Sequence, residues 1–477
     1  MAYNGRSKIL SDKTTTDLLD KNIMSDVLNT AKAKHNKNKQ EIDFLMNYYK
    51  GDQPILNKTK PVRSEINNTI VVNHAQMATR DIVGYFLGSP IQYVQSGKSN
   101  RQDQVDDLNR YIKYEDKASV DKEIGDYQSI CGTAYRIIYT DGEFKDDVPF
   151  EDRVLDPSTT FVVYENDISE QPLVGVTYYD VCDQKGNYVG TKFYIYTSIG
   201  QFTAITGKDG KLSADKISDL KQYDMGGVPI IEYPNNMHRI GDWELVLGVM
   251  DSINDLHSGR FDDIDQIVQS LLVFLNAEID AETYDEMREK GVVMIKNTNG
   301  SNTDIKNISN PLDQTGIGSY SQELEELLYA LIGIPSRNNR GGGGGDTGQA
   351  VELRDGWANL EIIARNKELV FRKSEKRMLK IMLNAFNIDR SDKLSLMDVD
   401  IKFSRNKSNN LIVKTQGLST LMATKTLSPT DCLTIVDLVS DENEFVARGE
   451  AFWGDEFAGK TTVSETTPEQ TTQQNQQ

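Results

Sequence analysis

The order of segments across residues 241–386 constrains this chain most. Two acidic helical limbs flank an insert that must leave and return, and a glycine run and one very long helical pattern follow. In the first limb, 241–275, Leu245, Val249, Ile253, Leu256, Ile264, Ile267, Leu271 and Leu272 recur at helical rather than alternating spacing. Its Asp242, Glu244, Asp251, Asp255, Asp262, Asp263 and Asp265 stand against Arg260 alone. The second limb, 319–334, sets Leu324, Leu327, Leu328 and Leu331 on an apolar side and carries Glu323, Glu325 and Glu326. Beyond Pro335 come Arg337, Asn338, Asn339 and Arg340, then Gly341, Gly342, Gly343, Gly344 and Gly345. Residues 349–386 then read as one helix, with Gly356 as its kink site. About 38 residues at 1.5 Å each span roughly 57 Å. That length points to a scaffold or an oligomer rather than an ordinary core helix.

The remainder reads as α+β. Residues 1–16 are polar and expected to be mobile. A helix is predicted over 17–49, with Gly51 just past its end and a solvated basic face at Lys32, Lys34, Lys37 and Lys39. Residues 52–66 read as loop and 69–72 as extended chain. Helices are predicted over 75–87, 102–112 and 118–129. Segments 134–139, 161–164, 173–181, 188–196 and 201–206 are rich in β-branched and aromatic residues. Turns at Asp141-Gly142, 185–187 and Asp209-Gly210 punctuate them as hairpins. A strand over 229–234 enters the first limb. The insert, 276–318, reads as a small helix (281–290), a strand (291–296) and a polar stretch reaching Pro311. A strand is predicted near 398–403, and Ser428-Pro429-Thr430-Asp431 is a capped helix start. Residues 460–477 are too polar to fold.

Composition excludes several classes. Net charge is −19, so a protein that grips nucleic acid through a broad basic face is not expected; acidic walls would instead keep a polyanion loose. No stretch is apolar enough for a membrane span, and the first residues show no leader-like apolar run. Cys131, Cys182 and Cys432 fit neither a disulfide framework nor a zinc spacing, and read as reduced, mostly buried thiols. The acidic group Asp146, Asp147, Glu151 and Asp152 lacks the spacing of a calcium loop. The four histidines are scattered, so no metal, cofactor or catalytic residue is assigned. Residues 454–461 spell a P-loop, the alternative reading as a nucleotide-dependent enzyme through Lys460. The segment before them reads as helix, however, and no βαβ core follows. The glycine run also fits a dinucleotide fingerprint, but no strand precedes it. Arg365, Lys367, Arg372, Lys373, Lys376, Arg377 and Lys380 of the long helix are expected to pair with acidic neighbours across an interface or to face water.

A resemblance gathers these segments. Tyr48-Tyr-Lys-Gly-Asp52 followed by Pro54-Ile55, Asn67-Asn68, Asn73, Gly88-Ser-Pro90, Ile130-Cys-Gly132-Thr-Ala-Tyr135, Asp156-Pro157, Pro229-Ile-Ile-Glu232-Tyr, Met250-Asp-Ser-Ile-Asn254, Gly333-Ile-Pro335 and Gly348-Gln-Ala350 occur in an order that resembles the bacteriophage portal proteins of the SPP1 type. The resemblance covers roughly residues 40–440. It implies a ring, usually a dodecamer, at one capsid vertex of the virion, assembled in the bacterial cytoplasm. Residues 1–240 and 349–405 would be the wing, the latter with the long helix and a return strand. The stem helices would be 241–275 and 319–334. A clip at 276–318 would dock the terminase large subunit and later the head–tail adaptor. A tunnel loop at 335–348 would face double-stranded DNA, 406–459 would be a helical crown, and 460–477 a disordered tail. Glu323, Glu325 and Glu326 would line the channel, and Arg337 and Arg340 would touch phosphates transiently. Major capsid and scaffold proteins are the other implied partners.

Overall fold

The long N-terminal helix bridges two cores. The computed structural model describes residues 5–61, 64–96, 101–140, 149–208, 210–223, 225–268, 272–275, 304–307, 314–336, 357–388, 390–405, 411–424 and 427–436, with a few positions between 445 and 451. Helix α1 is Lys21–Tyr49, preceded by a 3-10 turn at Asp17–Leu19. The Asp20 carboxylate accepts the Asn22 N–H at 2.8 Å and so satisfies one free donor of the first turn. The first half of α1 buries Met24, Leu28 and Ala31 on a β-sheet, and the second half buries Ile42, Leu45 and Tyr48 in a helical core. The basic run is not uniformly solvated. Lys34 and Lys37 are exposed, but the Lys32 ammonium lies 4.8 Å from the Phe193 ring centre and 5.4 Å from that of Tyr178.

The sheet under α1 has six strands: β1 (Ile9–Ser11), β5 (Thr160–Glu165), β6 (Pro172–Cys182), β7 (Tyr188–Tyr196), β8 (Gly200–Ile205) and β9 (Lys221–Gln222), in that spatial order. Only the β1–β5 pair is parallel. Residues 185–187 do close a hairpin: the Asp183 carboxylate accepts the Lys185 and Asn187 N–H groups, and Gly186 takes φ +81°. The turn expected at Asp209-Gly210 does not close a tight hairpin, because β8 pairs next with Lys221–Gln222. The Asp141-Gly142 turn lies outside the described residues. A second sheet runs β10 (Ile230–Pro234), β3 (Thr133–Tyr139), β4 (Glu151–Leu155), and β2 (Gln92–Gln95) pairs with β13 (Val399–Lys402), the expected return strand.

The first residues correct the expectation of a mobile terminus. Ile9–Ser11 joins the sheet edge, and Arg6 is buried. The Arg6 guanidinium donates to the Cys131 carbonyl at 3.2 Å and pairs with the buried Glu244. The sequence hides this because the anchor is one charged side chain whose partner lies 238 residues away. Removing residues 1–11 is expected to lower the melting temperature by several degrees, because Glu244 then stays buried without its cation. Differential scanning calorimetry against the full chain is the check, and an unchanged transition would refute the anchoring role.

The helical core comprises α2 (His74–Phe86), α3 (Gln102–Tyr114), α4 (Lys117–Cys131), α5 (Leu247–Val268), α6 (Gln314–Ile332) and α7 (Trp357–Phe386). α4 ends at Gly132, whose φ of +73° and close approach to the Arg239 carbonyl leave no room for a β-carbon. The first limb is shorter as a helix than its sequence pattern. α5 stops at Val268, and β11 (Leu272–Leu275) pairs antiparallel with β12 (Asp304–Asn307). α6 starts before the predicted 319. The described part of the long helix, α7, has 30 residues, about 45 Å. Gly356 and residues 349–355 lie outside the described residues, as do the predicted helix 281–290 and strand 291–296. Helices α8 (Leu411–Ala423) and α9 (Pro429–Val436) follow. Ser428 and Asp431 cap α9 reciprocally, as the sequence indicated. Residues 454–461 lie outside the described residues.

Candidate functional site

Helices α5 and α6 pack as an antiparallel pair, and β11 and β12 come between them in the chain. His257 of α5 faces Ser321 and Glu325 of α6, at 3.4 and 4.0 Å. At the root, the Trp243 indole N–H donates to Thr79 at 2.9 Å and its ring stacks on Tyr48 at 5.7 Å.

The buried face of α5 takes in Leu247, Met250 and Ile253 but is not purely apolar. Leu245 is 69% exposed and Ile264 40%, whereas Asn254, Ser258 and Asp262 are buried with Met250 and Ile253. These polar residues recur every four positions and meet the extended segment 68–72. The N–H of Asn68 donates to Asp262 Oδ1 (2.6 Å), that of Ile70 to Ser258 Oγ (2.9 Å), and that of Val72 to Asn254 Oδ1 (2.8 Å). One helical turn of four residues advances about 6.0 Å, and two residues of extended chain about 6.6 Å. The two registers therefore match over three steps, and the helix side chains act as the partner strand. Asp262 also holds Lys58 (2.9 Å) and Lys60 (2.6 Å). Burial alone would raise its pKa, but hydrogen bonds from Lys60, Lys58 and Asn68 hold it well below the usual carboxylate range. The missed signal was the spacing Asn254, Ser258, Asp262: short polar acceptors at i, i+4 and i+8.

Most of the acid of α5 and its lead-in is spent inside the subunit. Asp242 pairs with Lys367 at 2.8 Å, Glu244 with Arg6, and Asp262 with two lysines. Asp251 accepts from the Tyr48 hydroxyl (2.9 Å), and burial raises its pKa; Asp265 accepts from the Asn68 amide at 2.7 Å. Among the described residues, Asp255 and Asp263 form no ion pair.

The three glutamates of α6 do not share a face. Glu323 and Glu326, three positions apart, are exposed on one side, and Glu325 turns half-buried toward His257. α6 ends at Gly333 (φ +79°), where Gly333 and Ile334 both donate to the Tyr329 carbonyl, at 2.8 and 3.1 Å. Arg337, Asn338, Asn339, Arg340 and Gly341 to Gly345 lie outside the described residues.

The long helix is tied to the sheets by a buried ionic cluster. Glu375 of α7 receives Lys117, the Tyr93 hydroxyl and the Tyr233 hydroxyl (2.9 Å). Lys117 also donates to both Asp121 oxygens at 2.7 Å, and Arg136 joins Asp121, Asp152 (3.5 Å) and Glu375 (3.7 Å). Burial works against the Glu375 carboxylate, but Lys117 and Arg136 hold it below its ordinary pKa. Asp152 differs: burial outweighs Arg136 and raises it to about 6. Asp152 belongs to the acidic group read from sequence and serves as part of this cluster; Asp146 and Asp147 lie outside the described residues. Of the basic residues of α7, Lys367 is buried on Asp242, while Arg365 and Arg372 pair with Glu361 and Glu368 on the same helix. Lys373, Lys376 and Lys380 are exposed. Among the described residues no group of three or more His, Cys, Asp or Glu is disposed to hold a metal ion, and no helix is long and apolar enough to cross a membrane.

A family model described as "Phage portal protein, SPP1 Gp6-like" matches residues 28–451. No curated protein matches. Among solved structures, a chain from the neck of an empty GTA particle computed with C6 symmetry aligns at 13% identity and a TM-score of 0.44, covering 77% of this chain and 90% of the other.

Proposed function

Because this chain belongs to the phage portal proteins of the SPP1 Gp6-like family, we propose that it forms the ring-shaped DNA channel at one capsid vertex, through which the genome is packaged, retained and ejected. The observation that carries this is the extent of the match. Residues 28–451 take in the helical pair, the glycine run and the long helix in one family pattern. The family is structural, so a reaction through the P-loop-like residues 454–461 is not favoured.

On this reading α5 and α6 are the stem, 276–318 is the clip that docks terminase and then the head–tail adaptor, 335–348 is the tunnel loop, and 406–459 is the crown. The wing is 1–240 together with 349–405. The ring is a dodecamer built in the host cytoplasm with capsid and scaffold proteins and carried in the virion. Glu326 is the carboxylate disposed to face DNA, and Glu323, on the same side of α6, stands at the contact between copies. Glu325 contributes less, since it turns toward His257. A sparse acidic lining repels the duplex and keeps it sliding. Arg337 and Arg340 supply brief phosphate contacts on a backbone that five glycines leave free to move.

Negative-stain electron microscopy with native mass spectrometry is expected to show rings with an axial hole. The double variant Arg337→Ala/Arg340→Ala should keep the ring and lose at least tenfold in packaged or retained DNA. A variant that fails to form rings would sink the loop assignment. Lys460→Ala should leave assembly and packaging unchanged, and a null phenotype there would revive the nucleotide reading.

A further inference from the structure

Two exposed helix faces on this chain are complementary to each other. Along α7, Ile362, Asn366, Leu369, Lys373, Lys376 and Lys380 recur in steps of four and three, the spacing of one continuous seam. Ile362 is 58% and Leu369 68% exposed. Among the described residues, Lys373, Lys376 and Lys380 form no ion pair; Lys373 shares the field of Glu170, which Lys8 already holds. Along α6, Tyr320, Glu323, Leu327 and Leu331 make a second exposed seam, with Glu326 beside it. Among the described residues, Glu323 and Glu326 form no ion pair either.

The order of chemistry along the two seams is reversed. From N- to C-terminus, α7 runs from apolar to basic, and α6 from acidic to apolar. Laid antiparallel, the positions 331, 327, 323 and 320 advance by about 6, 6 and 4.5 Å, and 366, 369, 373 and 376 by about 4.5, 6 and 4.5 Å. Leu327 then meets Leu369, and Glu323 meets Lys373. Each helix already buries its opposite side in the core, through Leu328 and Ile332 on α6 and Leu360 and Phe371 on α7. The seams are therefore available to another copy.

We propose that the α6 seam of one copy docks antiparallel on the α7 seam of its neighbour, an assignment that rests on the ring reading above and names the surfaces that build it. Joining two different patches makes a head-to-tail contact, which closes into a ring when the rotation between copies divides a full turn evenly. The opposite charges fix register and exclude the like-with-like pairings α6–α6 and α7–α7.

The test uses the full chain in a Cys182→Ser background, which removes the exposed native thiol. Leu327→Cys and Leu369→Cys proteins, prepared separately and mixed, should give a disulfide-linked dimer under mild oxidation that neither gives alone. The protein carrying both should give a ladder. Glu323→Lys and Lys373→Glu should each cut ring yield at least tenfold at fixed concentration by native mass, and the combined swap should restore it. All four positions are exposed, so melting temperatures should not move. If a variant does not fold, carbodiimide cross-linking of mixed isotope-labelled wild-type chains should still yield a Glu323–Lys373 link between copies. Rings that form without any of these cross-links overturn the seam and leave the ring reading standing. A Leu369→Cys homodimer, or seams that capture DNA or an unrelated acidic protein in place of a second copy, overturns it as well. A chain that never forms rings overturns both.

Discussion

Asp262→Ala is expected to cost about 2–4 kcal/mol of stability, read as a shift in the guanidinium unfolding midpoint. One carboxylate is the meeting point of Lys58, Lys60 and both the backbone and side-chain N–H groups of Asn68. Removing it leaves a buried donor unpaired and ends the register that holds 68–72 against α5. Ser258→Ala, which deletes one neutral acceptor from the same row, should cost about 1 kcal/mol. The pH dependence has a definite sign. The folded-state pKa of Asp262 lies below its unfolded value of about 3.9. Its contribution is therefore complete above about pH 5 and is lost as pH falls through that value and below. Asp262→Asn should flatten the acid limb of the stability profile. An acid limb identical to that of the parent would show that the carboxylate is not held as described.

Arg136→Met should be the most damaging single change in the described core, at about 3–5 kcal/mol, because Asp121, Asp152 and Glu375 would then share only Lys117. Asp152→Asn should behave oppositely. Its pKa is raised to about 6 by burial, so ionising it works against folding. The stability it confers is full below its unfolded pKa of about 3.9 and is lost as pH rises through about 6. At pH 7 the amide should therefore be neutral or stabilising by up to about 2 kcal/mol, and the slope between pH 4 and 6 should disappear. A loss of more than about 2 kcal/mol at pH 7 would mean that the Arg136–Asp152 contact outweighs the desolvation of the carboxylate. Both variants are read by the same denaturation series at pH 4, 5.5 and 7.

Much of this chain was legible before any coordinates. The helices at 21–49, 74–86, 102–114 and 117–131, five strands of the β region, the paired limbs and the cap at Ser428 follow from periodicity and end signals, which act over a few residues. The ordered phrases from Tyr48 to Ala350 were enough to indicate the family, because their order along the chain is specific where each phrase alone is weak. The chemistry of the candidate site was less legible. A count of carboxylates made 241–275 an acidic wall, yet the structure spends Asp242, Glu244, Asp251, Asp262 and Asp265 on partners 125 residues or more away, Arg6 and Lys367 among them. Helical spacing marked Leu245, Val249 and Ile253 as the apolar residues of the first limb, and the structure buries Ile253 but leaves Leu245 exposed and buries Asn254, Ser258 and Asp262 as well.

The sequence by itself determined the order of the elements and their local ends. Those depend on backbone preference and on spacing along a helix or strand, both of which are properties of neighbours in the chain. Only the tertiary structure decided which charges remain exposed. A carboxylate looks the same in sequence whether it meets water or a guanidinium, and the difference lies in what distant segment folds against it. Glu325 was separated from Glu323 and Glu326 by that means, and so was Arg6 from a mobile terminus.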